Sequence, residues 1–322
     1  MRRRLLIILL SALLLMMPVR AETIRWVDFK VPYESLKYAM EVDISTSEKE
    51  QHLSWIEILA FAGCKTGGRC PLKSVQNAVK QLESGWSPEE LSEEHRKIYD
   101  YYYKAYNGVL GGLLGHYAIE INGELKTIYG LKAYSPIAEG YHYCHCADFG
   151  NQRSFGFARK HLGNDLMGSL GTPIIAVESG VVEAMGWNRY GGWRVGIRSM
   201  DSKRYYYYAH LMKDRPFAHG LKEGDIVQAG DLIGYMGRTG YSDRENVNNI
   251  ETVHLHFGIQ LVFEESQKEC NSEIWIDAYP IVRLLQSHRS TIVQRNGEWK
   301  RKLGFVDLDI LEYPNGKNFV EN

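Results

Sequence analysis

The segment 252–258 constrains the fold of this chain most strongly. It reads TVHLHFG, in which polar and apolar residues alternate as they do on a half-buried β-strand. Side chains two residues apart on a strand leave by the same face, so His254 and His256 would project together. A half-exposed His-x-His needs no function. Two buried neighbouring imidazoles, however, require a metal ion or an acid–base partner to offset the cost of burial.

A second motif lies about 90 residues upstream, where His161 and Asp165 are four residues apart. Gly163 separates them, and glycines and a proline follow at 168–173, so we expect a loop between short strands rather than a helix. Two histidines and an aspartate form a three-ligand set for zinc that leaves a fourth position to water. Spacing alone does not decide which histidine of the 252–258 segment would be the ligand.

A third motif is the tyrosine-rich run 205–211, YYYYAHL. Read as a strand, it places Tyr206, Tyr208 and His210 on one face. A single histidine in such a run is ordinarily structural, so its significance depends on the other two motifs. The two tyrosines would line a groove beside the histidines, or one of them would belong to the core.

These motifs and three further segments follow one another along the chain in an order that resembles the lysostaphin/LytM-type zinc metalloendopeptidases, which cleave peptidoglycan peptides. The resemblance covers roughly residues 130–285. The helical zincin signature His-Glu-x-x-His does not occur in the sequence. The matching segments are HLGND (161–165), GTPIIA (171–176), YAHL (208–211), GDIVQAGD (224–231), GYMG (234–237) and HLHF (254–257).

The resemblance implies one zinc ion per chain, held by His161, Asp165 and His256, with His210 and His254 as the catalytic pair. His254 would orient the attacking water or accept its proton, and His210 would stabilise the oxyanion or the leaving amine. The implied activity is zinc-dependent hydrolysis of peptide crosslinks in peptidoglycan, although the bond that is cleaved does not follow from the sequence.

Two other functions fit the same resemblance. A non-catalytic LytM-like scaffold would activate a partner hydrolase, but scaffolds of this kind lack some of the metal or catalytic residues, and all five positions are filled here. A wall-binding module would keep the metal for structural reasons only.

The N-terminus has the organisation of a signal peptide. Three arginines precede the apolar run 5–17, which is shorter than the ~20 residues that span a bilayer, and cleavage is expected after Ala21. The chain would then be exported and secreted or associated with the cell envelope. The alternative is an uncleaved membrane anchor. No later segment is apolar enough to cross a membrane.

Net charge narrows the range of partners. Cleavage after Ala21 removes four arginines and no acidic residue, which changes the formal charge from −1 to about −5. Nucleic-acid binders are basic, so we expect no nucleic-acid partner. The expected partner is a peptidoglycan peptide, and targeting to the wall would depend on specific contacts rather than on overall charge.

The expected fold class is α+β. We expect a signal peptide at 1–21, a helical domain at 22–118, an antiparallel β catalytic domain at 119–290 that folds without the helices, and an extension at 291–322. Helix starts are predicted near Ser47 and at Ser87, and a short late helix is predicted after Asp277. A tyrosine stripe at 99–106 is interpreted as core.

Five cysteines are present, an odd number for an exported chain. Cys64 and Cys70 flank a glycine-rich loop, and we predict that they form a disulfide. The run Cys144-His145-Cys146 resembles a metal site, but structural zinc sites usually have two to four residues between their cysteines.

Overall fold

A computed structural model describes residues 24–268, 272–295 and 298–312. These residues form helices and mostly antiparallel sheets, in agreement with an α+β fold. The predicted signal peptide, Cys270 and the last ten residues of the extension lie outside the described residues. None of the described helices is long and apolar enough to cross a membrane.

Among the described residues, four helices precede the first strand, and a fifth follows most of the sheet. Their bounds are α1 Tyr33–Thr46, α2 Trp55–Thr66, α3 Leu72–Glu83, α4 Glu93–Leu110 and α5 Tyr279–Leu285.

The predicted helix start near Ser47 is wrong. Ser47 follows the last residue of α1, and α2 begins only at Trp55. The cap of α2 is Ser54, whose side chain accepts a hydrogen bond from the backbone N–H of Ile56. Both serines fit a capping pattern, and burial of Trp55 and the residues after it determines which one is used.

The predicted start at Ser87 is also displaced. Residues Pro88–Glu90 form one 3₁₀ turn, and α4 begins at Glu93 with Ser92 as its cap. The helix then runs to Leu110. At the other end of the chain, the carboxylate of Asp277 accepts a hydrogen bond from Tyr279, the first residue of α5.

The strands begin with a hairpin, β1 (Leu114–Ile121) and β2 (Glu124–Leu131). Its turn residues Asn122 and Gly123 have φ of 55° and 84°, as a two-residue hairpin turn requires. The hairpin forms a three-stranded sheet with β17 (Phe305–Asp307), which lies in the predicted C-terminal extension.

An eight-stranded antiparallel sheet carries the predicted motifs. Along its main path the order is β11-β8-β9-β10-β13-β6-β3, and β14 also pairs with β13. The bounds are β3 Cys144–His145, β6 Asn164–Met167, β8 Gly180–Asn188, β9 Gly192–Ser199, β10 Arg204–Ala209, β11 Ile226–Val227, β13 His254–Leu261 and β14 Ile274–Ile276.

Three short two-stranded sheets complete the part of the β region that the structure describes. They pair β4 with β5, β7 with β12, and β15 with β16. The bounds are β4 Gln152–Arg153, β5 Arg159–Lys160, β7 Pro173–Ile175, β12 Leu232–Tyr235, β15 Ile292–Arg295 and β16 Glu298–Arg301.

The helices and the large sheet share one continuous hydrophobic core. Polar contacts also join them: the guanidinium of Arg204 in β10 donates to the carbonyl of Gly108 in α4 at 2.9 Å, and the amide of Gln267 donates to the carbonyl of Ile24 at 2.6 Å. Independent folding of residues 119–290 stays a prediction, and these are the contacts that an isolated β domain would lose.

The predicted disulfide between Cys64 and Cys70 is wrong, because both thiols are free and buried. Cys64 lies in α2, and its thiol is directed at the carbonyl of His95. Cys70 has a left-handed backbone (φ 43°) and its sulfur lies 3.5 Å from the hydroxyl of Tyr106. The loop between the two cysteines therefore sends their side chains to different parts of the helical core.

Candidate metal centre and catalytic cleft

A cavity of about 400 Å³ opens on one face of the large sheet. His254 and His256 both line it, as the period of two along β13 predicts. Asp165 reaches it because β6 pairs with β13 in a register that places Asp165 opposite His256. His161 lies in the short loop before β6, and His210 follows the end of β10. All five predicted site residues therefore line one cavity.

Three of these side chains converge on a single point. The Nε2 atom of His161 lies 2.7 Å from Nδ1 of His256 and 3.0 Å from Oδ1 of Asp165. The same Nδ1 of His256 is 3.3 Å from Oδ1 of Asp165. Among the described residues, this is the group whose ligand atoms lie close enough together to hold a metal ion. Two imidazole nitrogens and one carboxylate oxygen match the ligand set of a catalytic zinc site.

The carboxylates of Asp148 and Asp165 draw positive charge to this cluster. Burial lowers the pKa of His161, but hydrogen bonds to Asp148 and Asp165 outweigh burial and raise it to about 9. Burial raises the pKa of Asp165, but its contacts with His161 and His256 outweigh that effect and hold the pKa well below its usual range. A deprotonated Asp165 that faces positive charge is the state that a bound divalent ion would also stabilise. The residues present therefore fit zinc.

Asp148 and Arg153 hold the cluster from behind. Nδ1 of His161 lies 3.2 Å from both the carbonyl and the carboxylate of Asp148. The other carboxylate oxygen of Asp148 accepts from the backbone N–H of Asp165 at 3.1 Å. Nη2 of Arg153 donates to Asp148 at 2.7 Å and to Oδ2 of Asp165 at 3.0 Å. Ligand orientation in metal sites commonly depends on such outer partners.

Gly163 leaves room for His256. A Cβ at position 163 would lie 2.7 Å from Cε1 and 2.8 Å from Nε2 of that imidazole, closer than side-chain atoms approach one another. The glycine between His161 and Asp165 is thus required by the close approach of the loop to β13.

His210 and His254 form a second pair beside the first cluster, with ring centroids 4.7 Å apart. Nδ1 of His210 lies 2.9 Å from the carbonyl of Thr239, and Nδ1 of His254 lies 2.9 Å from the carbonyl of Thr252. A carbonyl only accepts, so each Nδ1 carries the proton and each Nε2 is left for chemistry. Burial, together with His254 and His256, holds the pKa of His210 well below its usual range.

The prediction that Tyr206, Tyr208 and His210 share a face is wrong for His210. Tyr206 and Tyr208 are fully buried in the core, and neither lines the cavity. His210 lies just past the strand with φ of 62°, a left-handed backbone that breaks the period of two and turns the imidazole to the opposite face.

The tyrosines of β10 that line the cavity are Tyr205 and Tyr207. The hydroxyl of Tyr207 accepts a hydrogen bond from the side-chain amide of Asn188 at 3.0 Å, and its ring contacts His256 edge to face at 5.8 Å. The alternation of side chains along β10 does place Tyr205 and Tyr207 on the same face. The groove is predicted on the opposite face, because the prediction groups His210 with Tyr206 and Tyr208. Asp148 and Arg153 lie before the His161–Asp165 motif, and no sequence motif marks them as part of the site.

The side chains of the Cys144-His145-Cys146 run do not take part in the site. The imidazole of His145 stacks on Tyr279 with centroids 4.3 Å apart. The thiol of Cys144 is exposed, and the backbone N–H of Cys146 donates to the carbonyl of Asp165. Its contribution to the site is made through the backbone, along the edge of β6.

Comparison with known proteins agrees with this geometry. Residues 159–270 match the model of peptidase family M23. This segment is therefore a peptidase M23 domain. The segment contains all five histidine and aspartate residues of the cavity, so the resemblance to lysostaphin and LytM found in the sequence is confirmed there.

Two curated relatives show the extent of the similarity. L-Ala–D-Glu endopeptidase of Bacillus subtilis is 37% identical over 162 residues, which are 47% of this chain and 46% of that protein. Lysostaphin of Staphylococcus simulans is 38% identical over 98 residues, which are 30% of this chain and 17% of that protein. The chain therefore spans less than half the length of these curated relatives.

A solved structure of a LytM protein from Ruminococcus gnavus shares the fold. It superposes with a TM-score of 0.53 at 23% identity, over 85% of this chain and 95% of that one. The match extends beyond the M23 segment of this chain.

Proposed function

We propose that this protein is a zinc-dependent endopeptidase that hydrolyses peptide crosslinks of bacterial cell-wall peptidoglycan. The observation that carries the proposal is the convergence of His161, Asp165 and His256 within 3.3 Å of one another, beside two further histidines in one cavity. This arrangement lies within the M23 segment. Relatives named as L-Ala–D-Glu endopeptidase and lysostaphin support a substrate in the cell wall.

In this proposal His161, Asp165 and His256 hold one zinc ion. When bound there, zinc polarises the scissile carbonyl and lowers the pKa of a coordinated water toward ~7. Asp148 and Arg153 keep the ligands oriented, because they hold the nitrogen and oxygen atoms that face away from the point of convergence.

His254 and His210 handle the protons. Nε2 of His254 lies 3.7 Å from Asp165 and accepts the proton of the attacking water. The proton that His254 takes from the water passes to the neighbouring His210, whose ring centroid lies 4.7 Å away, and Nε2 of His210 then donates it to the developing oxyanion or to the leaving amine. Because burial disfavours the charged imidazole of His210, it holds a second proton only while negative charge faces it. No covalent intermediate with the protein is required.

We also propose that the chain acts outside the cytoplasm, after export by the segment 1–21, and that the helical domain at 22–118 controls access or location. Specific substrate contacts would direct a chain of net negative charge to the wall. The proposed partner is a peptidoglycan peptide, with no nucleic acid.

A non-catalytic scaffold is the alternative, but the site does not favour it. The five polar side chains are present, each is positioned by a backbone carbonyl or a neighbouring side chain, and the cavity is open to solvent.

The test is digestion of purified sacculi by residues 22–322, followed by muropeptide profiling by mass spectrometry. We expect new peptide termini, their loss after chelation, and their return when zinc is added. His254→Ala is the matched inactive control. Release of muropeptides only when a partner hydrolase is added would instead identify a scaffold.

A further inference from the structure

The cavity beside the histidines is rich in positive charge. Five cationic and three acidic side chains line it, although the whole chain is slightly acidic. Three of the five cations are already paired: Arg153 with Asp148 and Asp165, and both Arg198 and Lys268 with Glu183. The remaining two are Arg159 and Lys160 of β5, and no described carboxylate lies within ion-pair distance of either.

Arg159 is held in place without a carboxylate. Its guanidinium carbon lies 4.7 Å from the ring centroid of Tyr190 and 5.4 Å from that of Tyr241. Nη1 donates one hydrogen bond, of 2.8 Å, to the carbonyl of Phe155. Aromatic rings stabilise a cation without using its N–H groups, so most of the five donors of Arg159 stay available. Lys160, by contrast, is exposed and has no such support.

Tyr241 connects Arg159 to the catalytic histidines. Its ring contacts His210 edge to face, with centroids 6.0 Å apart, and its other neighbours are Phe155 and Arg159. One aromatic ring therefore separates the guanidinium from the proposed reaction centre. An extended peptide advances roughly 3.3–3.6 Å per residue, so a substrate residue within about three positions of the scissile bond reaches Arg159.

We propose that Arg159 binds a carboxylate of the substrate peptide, so that the enzyme selects acidic stem peptides over neutral glycine bridges. The proposal rests on the endopeptidase function proposed above. A preorganised guanidinium with free N–H groups binds a carboxylate through two parallel hydrogen bonds. A glycine bridge has no side-chain carboxylate and would leave these donors unpaired.

Two pairs of crosslinked stem peptides test the proposal and identify the carboxylate. In the first pair the α-carboxyl of D-glutamate is either free or amidated. In the second pair the diamino acid is either diaminopimelate, which has a side-chain carboxylate, or lysine, which does not. We expect kcat/KM to fall about 10- to 100-fold when the recognised carboxylate is removed from one of the pairs, the range of a charge-assisted hydrogen bond.

Arg159→Gln should lower kcat/KM for the carboxylate form by the same factor and change the neutral form little, which removes the discrimination. Arg159→Lys keeps the charge and loses the fork, so it should keep part of the preference. Lys126→Gln, which removes a positive charge from the exposed face of β2, is the matched control and should preserve full discrimination. Equal losses on both members of a pair would show that Arg159 only supports the cavity wall, and would overturn the proposal.

Binding of the same peptides to the His254→Ala protein separates the two claims. Preferential binding of a carboxylate form without hydrolysis by the unmodified protein would support the subsite and refute the endopeptidase function. Hydrolysis of all four peptides at equal rates would support the endopeptidase and refute the subsite. Failure of every peptide to bind would also refute the subsite.

Discussion

Two clusters of buried ionisable groups lie at opposite ends of β10, and they differ in whether their polar atoms converge on a single point. At the start of the strand, Arg204 is completely buried. It donates to Glu178 at 2.8 and 2.9 Å, to the carbonyl of Gly108 at 2.9 Å, and pairs with Asp201 at 3.0 Å. Each donor of this first cluster faces an acceptor, so the Arg204 cluster is complete.

Past the other end of the strand, His210 and three further histidines surround one carboxylate, that of Asp165. Two imidazole nitrogens and one carboxylate oxygen of this histidine cluster converge, at distances of 2.7–3.3 Å from one another. Burial of such a group is costly unless a cation joins it. The difference teaches that a cluster whose donors and acceptors are matched stabilises the fold, whereas a cluster whose ligand atoms converge on one point has the geometry of a metal site.

Replacement of either proposed catalytic histidine should lower the rate of hydrolysis and leave the bound zinc in place. We expect His254→Ala and His210→Ala each to lower hydrolysis by about 10²–10⁴-fold, the range for a positioned acid or base, with bound zinc retained. Single-turnover assays on sacculi together with metal analysis measure both quantities. If His254→Ala lost zinc while His256→Ala kept it, the roles of the two histidines of β13 would have to be exchanged.

Removal of one member of the Arg204 cluster should affect stability and leave the site intact. Glu178→Gln leaves a buried guanidinium with a weakened partner, so we expect the free energy of unfolding to fall by about 3–5 kcal/mol. Urea unfolding monitored by tryptophan fluorescence measures the loss, and the folded fraction should still bind zinc.

Glu124→Gln provides the control for that experiment, because Glu124 is exposed on β2 and its loss should change stability by less than about 0.5 kcal/mol. A Glu178→Gln protein as stable as the control would mean that the Arg204 cluster does not hold the helices to the sheet.

Arg153 contacts the histidine cluster but is not one of the proposed zinc ligands. Its replacement therefore tests whether the residues around the ligands contribute to zinc affinity. Arg153→Gln removes the donor that holds Oδ2 of Asp165 and the carboxylate of Asp148. We expect zinc affinity to fall about 10- to 100-fold, as for other outer-shell partners. Competition with a chromophoric chelator gives the affinity, and an unchanged dissociation constant would show that Asp165 is oriented by its strand alone.

The smallest predicted effect is that of a reductant on the helical region. Packing, and not a disulfide between Cys64 and Cys70, stabilises this region. Cys64 and Cys70 should both react with an alkylating agent after denaturation without reductant, and a reductant should not shift the melting temperature. Intact-mass measurement with peptide mapping decides this. A missing label on both residues would restore the disulfide that the sequence suggested.

The sequence predicted which side chains meet in one cavity better than it predicted the elements around them. The shared face of His254 and His256 was predicted from the two-residue period of a strand, and that period holds along β13. The face of Tyr207 was missed because one left-handed residue, His210, reverses the pattern, and a backbone angle of this kind is not visible in the residue types. Asp148 and Arg153 were missed because they act through contacts that only the folded chain creates.

Helix starts were misplaced for a similar reason. Ser47 and Ser54 both satisfy local capping rules, and the choice between them depends on which apolar residues find a core. Cys64 and Cys70 are close in sequence, but a helix and a left-handed turn direct their thiols apart. In these segments the local sequence allows more than one helix start and more than one direction for each thiol. Tertiary packing determines which one forms.

Zinc content per chain, measured on three purified proteins after equilibration with zinc and removal of the excess, tests the central claim most directly. We expect one zinc in the unmodified protein, none in Asp165→Ala, and one in the folded fraction of Glu178→Gln, because the proposed ligands all lie in the histidine cluster. One zinc retained by Asp165→Ala, or none in the unmodified protein, would contradict the account.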